Sequence, residues 1–211
     1  MKTTLKEILL NEPWDYEWRQ LVEGLGMPEL KYLGDHSDED DEDFCFTEQE
    51  ESALSTEVSL RFILENNGWE FCMFALQDVD GYDRELRLLA VAFARQVKHL
   101  MTDPRSLHAL EVAERFANGL ATAEELGKAW DDGYAVYDPV WRPCLADSPE
   151  DSATITAYST VSLFANTASY KTACSVYDYD DPYNSELVEQ TINEFKRLLD
   201  CIESGERYEI S

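Results

Sequence analysis

Three histidines, five cysteines and a dense run of carboxylates are the groups of this chain with reactive or ligating chemistry. His99 and His108 flank the turn Thr102-Asp103-Pro104 and are close enough in sequence to approach each other, whereas His36 stands apart. An acid–base or metal role for the pair needs a third group, such as Asp103 or Cys72, and sequence spacing supplies no geometry for one. Surface histidines are the simpler reading. Asp78-Val79-Asp80-Gly81 has the outline of a calcium loop, but its D-x-D-x-D-G register is incomplete. Its twelfth position, where a bidentate Glu belongs, is Leu89 on an apolar helix face. Cys45, Cys72, Cys144, Cys174 and Cys201 are scattered, odd in number and without C-x-x-C spacing, so reduced thiols fit better than a disulfide framework or a zinc site. There is no G-x-S-x-G, H-E-x-x-H, phosphate-binding loop or G-x-G-x-x-G. The residues therefore assign no catalytic group, no metal and no cofactor.

The carboxylates remain. "GDHSDEDDEDFCFTEQEES", Gly34 to Ser52, holds ten of them and no Lys or Arg. Consecutive carboxylates rarely converge on one ion, so Asp35, Asp38, Glu39, Asp40, Asp41, Glu42 and Asp43 read as a solvated loop that can also serve as a negative docking surface. Two further segments mix acids with aromatic rings. Trp130, Asp131, Asp132, Tyr134 and Tyr137 lie in "DDGYAVYDPVW" and just before it. Asp178, Asp180 and Asp181 lie within "YDYDDPY". Such mixtures suit a protein interface, where a few desolvated anchors dominate the binding energy, and they suit ordinary packing equally well.

Composition narrows the partner. The chain has 211 residues, 44% of them hydrophobic, and a formal charge of −27 from 17 basic and 44 acidic residues. A small domain needs a magnitude of only about 2–8 for solubility. The excess is spread along the chain and repels itself in the compact state, so it calls for a reason. Direct nucleic-acid binding needs clustered Lys and Arg, and attraction to an anionic membrane needs the same, so neither fits. A basic protein is the natural complement. No apolar run reaches the ~18–20 residues of a membrane span and the N-terminus lacks an apolar signal region, which predicts a cytoplasmic protein.

Helices must carry these groups. Thr4 with Glu7, Thr47 with Glu50 and Thr122 with Glu125 fit capping boxes. Pro13 opens a helix with Trp14, Trp18, Leu21 and Val22 on one face, which Gly24, Gly26 and Pro28 end. A further helix ends near Asn66-Asn67-Gly68, and a short apolar one follows, with Trp69, Cys72, Met73 and Leu76 as core. Leu86, Leu89, Ala90, Phe93, Ala94, Val97, Leu100 and Met101 follow the i, i+3, i+4, i+7 pattern of one long helix. Asp103-Pro104 starts another, lined by Leu107, Leu110, Ala113, Phe116 and Ala117, which Asn118-Gly119 ends. Residues 131–151 read as irregular, with three prolines. Ser152 to Tyr179 fits a helix by its Ala content and its cap, or two strands by its β-branched content; helix is the reading taken. Val188, Ile192, Phe195, Leu199 and Ile202 stripe the last helix, closed by Gly205. The expected fold is all-α, an irregular multi-helix bundle of helical hairpins in one compact domain. An acidic loop lies near residues 34–46, with N-terminal helices and that loop in 1–58 and a helical core with C-terminal helices in 59–211.

From "SLRFILENNGWEFCMFAL" through "RELRLLAVAFARQVKHLMTDPRSLHALEVAERFANGLATAEELGKAW" the chain resembles a loosely defined family of uncharacterised all-helical proteins of bacteria and their phages. Some of these look like predicted immunity proteins of polymorphic toxin systems. The most specific piece is "ALEVAERFANGLATAEEL", Ala109 to Leu126. In that family an Ala-rich helical array follows the motif, where this chain has the Ser/Thr/Tyr-rich stretch. The resemblance implies an α-helical fold, no established catalytic residues, and a place in conflict between phages, hosts and toxins. Together with the charge it leads to the expectation of a non-catalytic binding protein. In one form it is an anti-restriction or anti-CRISPR inhibitor that engages a basic nucleic-acid-binding complex, its carboxylates imitating DNA phosphates. The alternative is an immunity protein that neutralises a toxin. Oligomeric state is left open.

Overall fold

The computed structural model describes residues 1–10, 15–36, 46–76, 79, 81–141, 149–162 and 185–210. Across them the chain forms ten α-helices, two 3-10 segments and a single two-stranded ladder, the all-helical class that the patterning predicts. It divides into two compact units, Met1–Val79 and Asp80–Ser211. The boundary expected after residue 58 falls within β2 (Glu57–Ser59), which pairs antiparallel with β1 (Lys2–Thr4), Thr3 opposite Val58. β2 runs straight into the next helix, so residues on both sides of 58 are tied to the N-terminal strand. The ladder itself is invisible in the sequence: three residues a side give no period to read.

In the first unit, local signals set most helix starts. Thr4 N–H donates to Glu7 Oε2 at 2.7 Å and Glu7 N–H to Thr4 Oγ1 at 3.2 Å, opening α1 (Leu5–Leu10). In α2 (Asp15–Gly24), Trp18, Leu21 and Val22 are fully buried, and the Trp18 indole N–H donates to the Leu30 carbonyl at 2.9 Å. A 3-10 helix, Pro28–His36, follows. It corrects one expectation: Asp35 belongs to this segment and not to a loop. The cause is the i, i+3 eclipse of a 3-10 turn, which stacks Leu30 on Leu33, both buried. Asp38, Glu39, Asp40, Asp41, Glu42 and Asp43 lie outside the described residues. The Thr47–Glu50 capping box opens α3 (Glu48–Leu54) and Ser59 caps α4 (Leu60–Asn67). Gly68, at φ 90°, turns the chain into α5 (Trp69–Ala75). Phe71, Cys72, Ala75 and Leu76 are buried there, while Trp69, expected in the core, is only partly covered at the helix's open end.

In the second unit α6 (Asp83–Gln96) is central. It buries Leu86, Leu89, Ala90, Phe93 and Ala94 as patterned, and Leu88 and Val91 besides. The regular helix stops at Gln96, and a 3-10 turn, Lys98–Leu100, replaces the predicted last turn. Asp103 caps α7 (Pro104–Ala117), its Oδ1 accepting the Arg105 N–H at 2.8 Å. The Thr122–Glu125 box opens α8 (Ala123–Trp141). The helix then continues through residues read as irregular from sequence. Ala129, Trp130, Gly133 and Tyr137 recur at helical spacing toward the next helix, and this packing outweighs the weak propensity of Asp-Asp-Gly; Pro139 enters only in the last turn. Then come α9 (Pro149–Thr160), where the expected helix over Ser152–Tyr179 ends at Thr160, Val161 and Ser162 having already left it, and α10 (Ser185–Ser204), which buries Phe195, Leu198 and Leu199. Residues 163–179 of the Ser/Thr/Tyr-rich stretch, Trp14, and the side chains of Met73, Trp141 and Val188 lie outside the described residues.

Two arginines tie this unit together. Arg87, buried in α6, donates to the Thr160 carbonyl at 3.0 Å and the Ser162 carbonyl at 2.8 Å, just where α9 ends and carbonyls lose their helical partners. Beyond Gly205 the chain returns: Tyr208 is buried, its hydroxyl donates to Glu194, and Arg84 donates to the Tyr208 carbonyl at 2.8 Å. Among the described residues no helix is long and apolar enough to cross a membrane.

Candidate protein interface

Helix α8 presents Trp130, Tyr134 and Tyr137 at i, i+4 and i+7, one helical stripe. Across from them α9 presents Tyr158. The helices are in close contact at Gly133, where a Cβ would sit 3.4 Å from Tyr158 Cδ2. The four rings form one cluster. Trp130 stacks on Tyr134 with centroids 5.7 Å apart and planes 14° off parallel; Tyr137 stacks on Tyr158 at 4.6 Å and 20°. Tilted contacts join the two stacks, Trp130 to Tyr158 at 5.8 Å and Tyr134 to Tyr158 at 6.0 Å.

The cluster has a dry side and a wet side. Inward, Trp130 and Tyr158 pack on the core cluster of Val91, Ala109, Val112, Ala113, Leu126, Ala129 and Val161. Outward, Tyr134 remains 39% exposed. Asp131 is exposed beside it and Asp132 is half-buried. The Tyr134 hydroxyl donates to Asp138 Oδ1 at 3.1 Å. Burial, and then the neighbouring Tyr134 and Asp138, push the Tyr137 phenol above its ordinary pKa; burial and the adjacent phenols do the same to Tyr158. These rings therefore stay neutral beside the carboxylates. Arg105, at the start of α7, is held charged first by its hydrogen bond to Asp103 and in smaller part by Asp132.

Of the interface residues expected from sequence, the structure thus brings Trp130, Tyr134 and Tyr137 into one cluster, with Asp131 and Asp132 on its margin. Asp35 belongs to the other unit. Asp178, Asp180 and Asp181 lie outside the described residues, as do Asp38 to Asp43. Tyr158, Gly133 and Asp138 were missed. Asp138 stands four residues after Tyr134 and becomes visible once this segment is known to be helical. Tyr158 has no local signal, because its stretch is ambiguous between helix and strand.

The other chemical groups are less organised. His99 and His108 are both exposed. His108 lines an open cleft of about 490 Å³ with Arg95, Lys98, Glu111 and Glu114. Among the described residues no three His, Cys, Asp or Glu side chains are grouped to hold a metal ion. Cys72 is buried, its thiol donates to the Leu60 carbonyl at 3.2 Å, and burial pushes its pKa up, away from reactivity. Asp78 and Asp80 lie outside the described residues, and Leu89 at the calcium loop's twelfth position is fully buried.

No family model, curated protein or solved structure matches this chain. The segment Ala109–Leu126, which carries the resemblance noted in the sequence, forms the second half of α7, a turn, and the start of α8. Ala109, Leu110, Val112, Ala113 and Leu126 are its buried side. Arg115 holds the turn by donating to the Leu120 carbonyl at 2.9 Å and to Glu125 at 3.1 Å.

Proposed function

We propose that the protein is a non-catalytic inhibitor that binds a basic, nucleic-acid-binding protein. The setting that suits it is phage or mobile-element anti-defence inside the cell, with a restriction enzyme or a CRISPR effector as the target. The observation that carries the reading is the α8–α9 face, a cluster of half-exposed rings rimmed by Asp131, Asp132 and Asp138 on a chain of net charge −27. Rings supply desolvated anchors, and carboxylates steer a cationic partner and set its orientation. In the sharpest form of the reading, carboxylates on helix faces stand in for DNA phosphates, which present one charge per ~1.7 Å of duplex axis.

The test is capture of partners by the tagged protein from its natural host. The expected result is a basic nucleic-acid-binding protein that duplex DNA displaces and that added salt releases. Charge reversal at Asp131 and Asp132 should weaken the capture. Capture that ignores salt, DNA and charge reversal would overturn the proposal.

A second reading has its own support in the Ala109–Leu126 motif: an immunity protein that blocks a toxin's active site. A cationic nuclease toxin would suit the same charge. A toxin gene directly upstream favours this reading, whereas neighbouring early phage genes favour anti-defence.

A further inference from the structure

We infer that the cleft which α7 forms with the end of α6 binds a small zwitterion with an apolar body, of the amino-acid or short-peptide class. The site shares no residue with the ring cluster, and the inference goes beyond the basic-partner reading without depending on it.

Two acid–base pairs line this cleft of about 490 Å³. On one side stand Arg95, in the last turn of α6, and Lys98, in the 3-10 turn that follows. On the other stand Glu111 and Glu114, three residues apart on α7 and so on one face of it. The first pair is closed: Arg95 donates to Glu114 Oε2 at 2.7 Å. The second is open. Lys98 and Glu111 are both exposed, and neither side chain has a hydrogen bond or ion pair to another described residue. His108, one turn before Glu111, lines the same cleft and likewise has no side-chain partner among the described residues. Leu107 and Leu110 supply apolar lining between the charges, Leu110 being buried.

Exposed charges left apart need no ligand on a convex surface, where such a pair contributes little. Here they converge on a concave site. Its volume falls in the range of small-ligand pockets, about 300–1,000 Å³, which combine apolar lining with a few placed polar groups. Charge then selects the ligand. Arg95 and Glu114 neutralise each other, which leaves one ammonium and one carboxylate. A plain anion would meet Glu111 and the field of a chain at −27, and a plain cation would meet Lys98. A molecule that carries both charges satisfies both groups. Its carboxylate accepts from Lys98, its ammonium donates to Glu111, and its aliphatic body covers Leu107 and Leu110.

The test is nuclear magnetic resonance of the full chain with labelled histidine, titrated at fixed pH with leucine and with leucyl-leucine. The three histidines divide usefully: His108 lines the cleft, His99 does not, and His36 belongs to the other unit. At least one of the two zwitterions should shift His108 saturably and leave His36 in place. The amide of that ligand, which lacks the carboxylate, and its N-acetyl form, which lacks the ammonium, should each bind at least about fivefold more weakly. Lys98→Met should erase the preference over the amide, and Glu111→Gln the preference over the N-acetyl form. Both side chains are exposed and unpaired, so both variants should keep the wild-type circular dichroism. The inference is overturned if neither zwitterion moves His108, if the blocked forms bind as well as the free ones, or if the preferences survive both substitutions. Each of those results leaves the basic-partner reading intact, because that reading is tested at Asp131 and Asp132.

Discussion

Arg87 shows how a single buried cation can be a structural requirement. Burial pushes its guanidinium down to about 10, still charged at neutral pH, and the carbonyls of Thr160 and Ser162 accept its N–H hydrogen bonds. Arg87→Met keeps the stem but leaves those carbonyls without this donor and removes the stack on Phe116. We expect a loss of about 3 kcal/mol in urea unfolding of the unit that holds α6 and α9; a loss under about 0.5 kcal/mol would show that water replaces the donor without cost. Tyr208 makes a second residue-scale prediction. Burial, and then its bond to Glu194, raise this phenol well above the ordinary 10.0. The folded state thus resists ionisation while the unfolded chain ionises near pH 10. The stability Tyr208 contributes is complete below pH 10 and is lost as pH rises above it. Arg87 titrates with the opposite sign, so the informative quantity is the difference between wild type and Tyr208→Phe. That difference in urea midpoint should change steadily between pH 9 and 11, and a flat one would refute the assignment.

Helix α8 is the element on which the candidate site depends, and at Gly133 it lies directly against Tyr158 of α9. Ordinarily Gly within a helix is unfavourable by about 1 kcal/mol relative to Ala. At Gly133 that cost accompanies the close approach of Tyr158, 3.4 Å from where a Cβ would stand. Gly133→Leu should therefore destabilise by about 1–3 kcal/mol despite better helix propensity, and should separate Tyr137 from Tyr158, which near-ultraviolet circular dichroism would record as lost tyrosine signal. A gain in stability would mean that the helices part freely. By contrast Ser59→Ala removes only an N-cap, the acceptor for Phe62 N–H at 3.1 Å, and should cost about 1 kcal/mol in thermal or urea unfolding. The two cases also explain what could be read beforehand. Caps such as Thr4–Glu7, Thr47–Glu50, Asp103 and Thr122–Glu125 were legible because donor and acceptor lie within a few residues. So was the apolar stripe of α6. The second half of α8 was not, since Asp-Asp-Gly and Pro139 signal a break locally and the packing that overrules them comes from α9. The β1–β2 ladder, the return of Tyr208 and the place of Tyr158 depend on partners remote in sequence. At the candidate site, residue types were visible in Trp130, Tyr134 and Tyr137; their assembly was not.

At the scale of the whole molecule, charge decides behaviour. Residues 1–79 hold 20 carboxylates against five Lys and Arg, and residues 80–211 hold 24 against 12. Each unit is therefore strongly negative in its own right. Salt acts on two opposed contributions. It weakens surface ion pairs such as Lys2–Glu57, Lys6–Glu51 and Arg207–Glu209, but exposed pairs of this kind contribute only about 0–1 kcal/mol each. It also screens the repulsion among the remaining carboxylates, which extends beyond contact distance and is cut off once the Debye length falls to about 10 Å at 0.1 M. Repulsion involves many more pairs than attraction in a chain with 44 acids and 17 bases, so its relief should win. We expect the melting temperature to rise by about 5 °C between 10 and 300 mM sodium chloride, each kcal/mol relieved being worth about 2–4 °C at this size. Binding to a cationic partner should move the other way, weakening across the same range, because there salt screens an attraction. The two trends must appear together if the carboxylates form a field that a basic partner neutralises. A melting temperature that falls with salt would mean that the ion pairs outweigh the repulsion, leaving no electrostatic strain for such a partner to relieve.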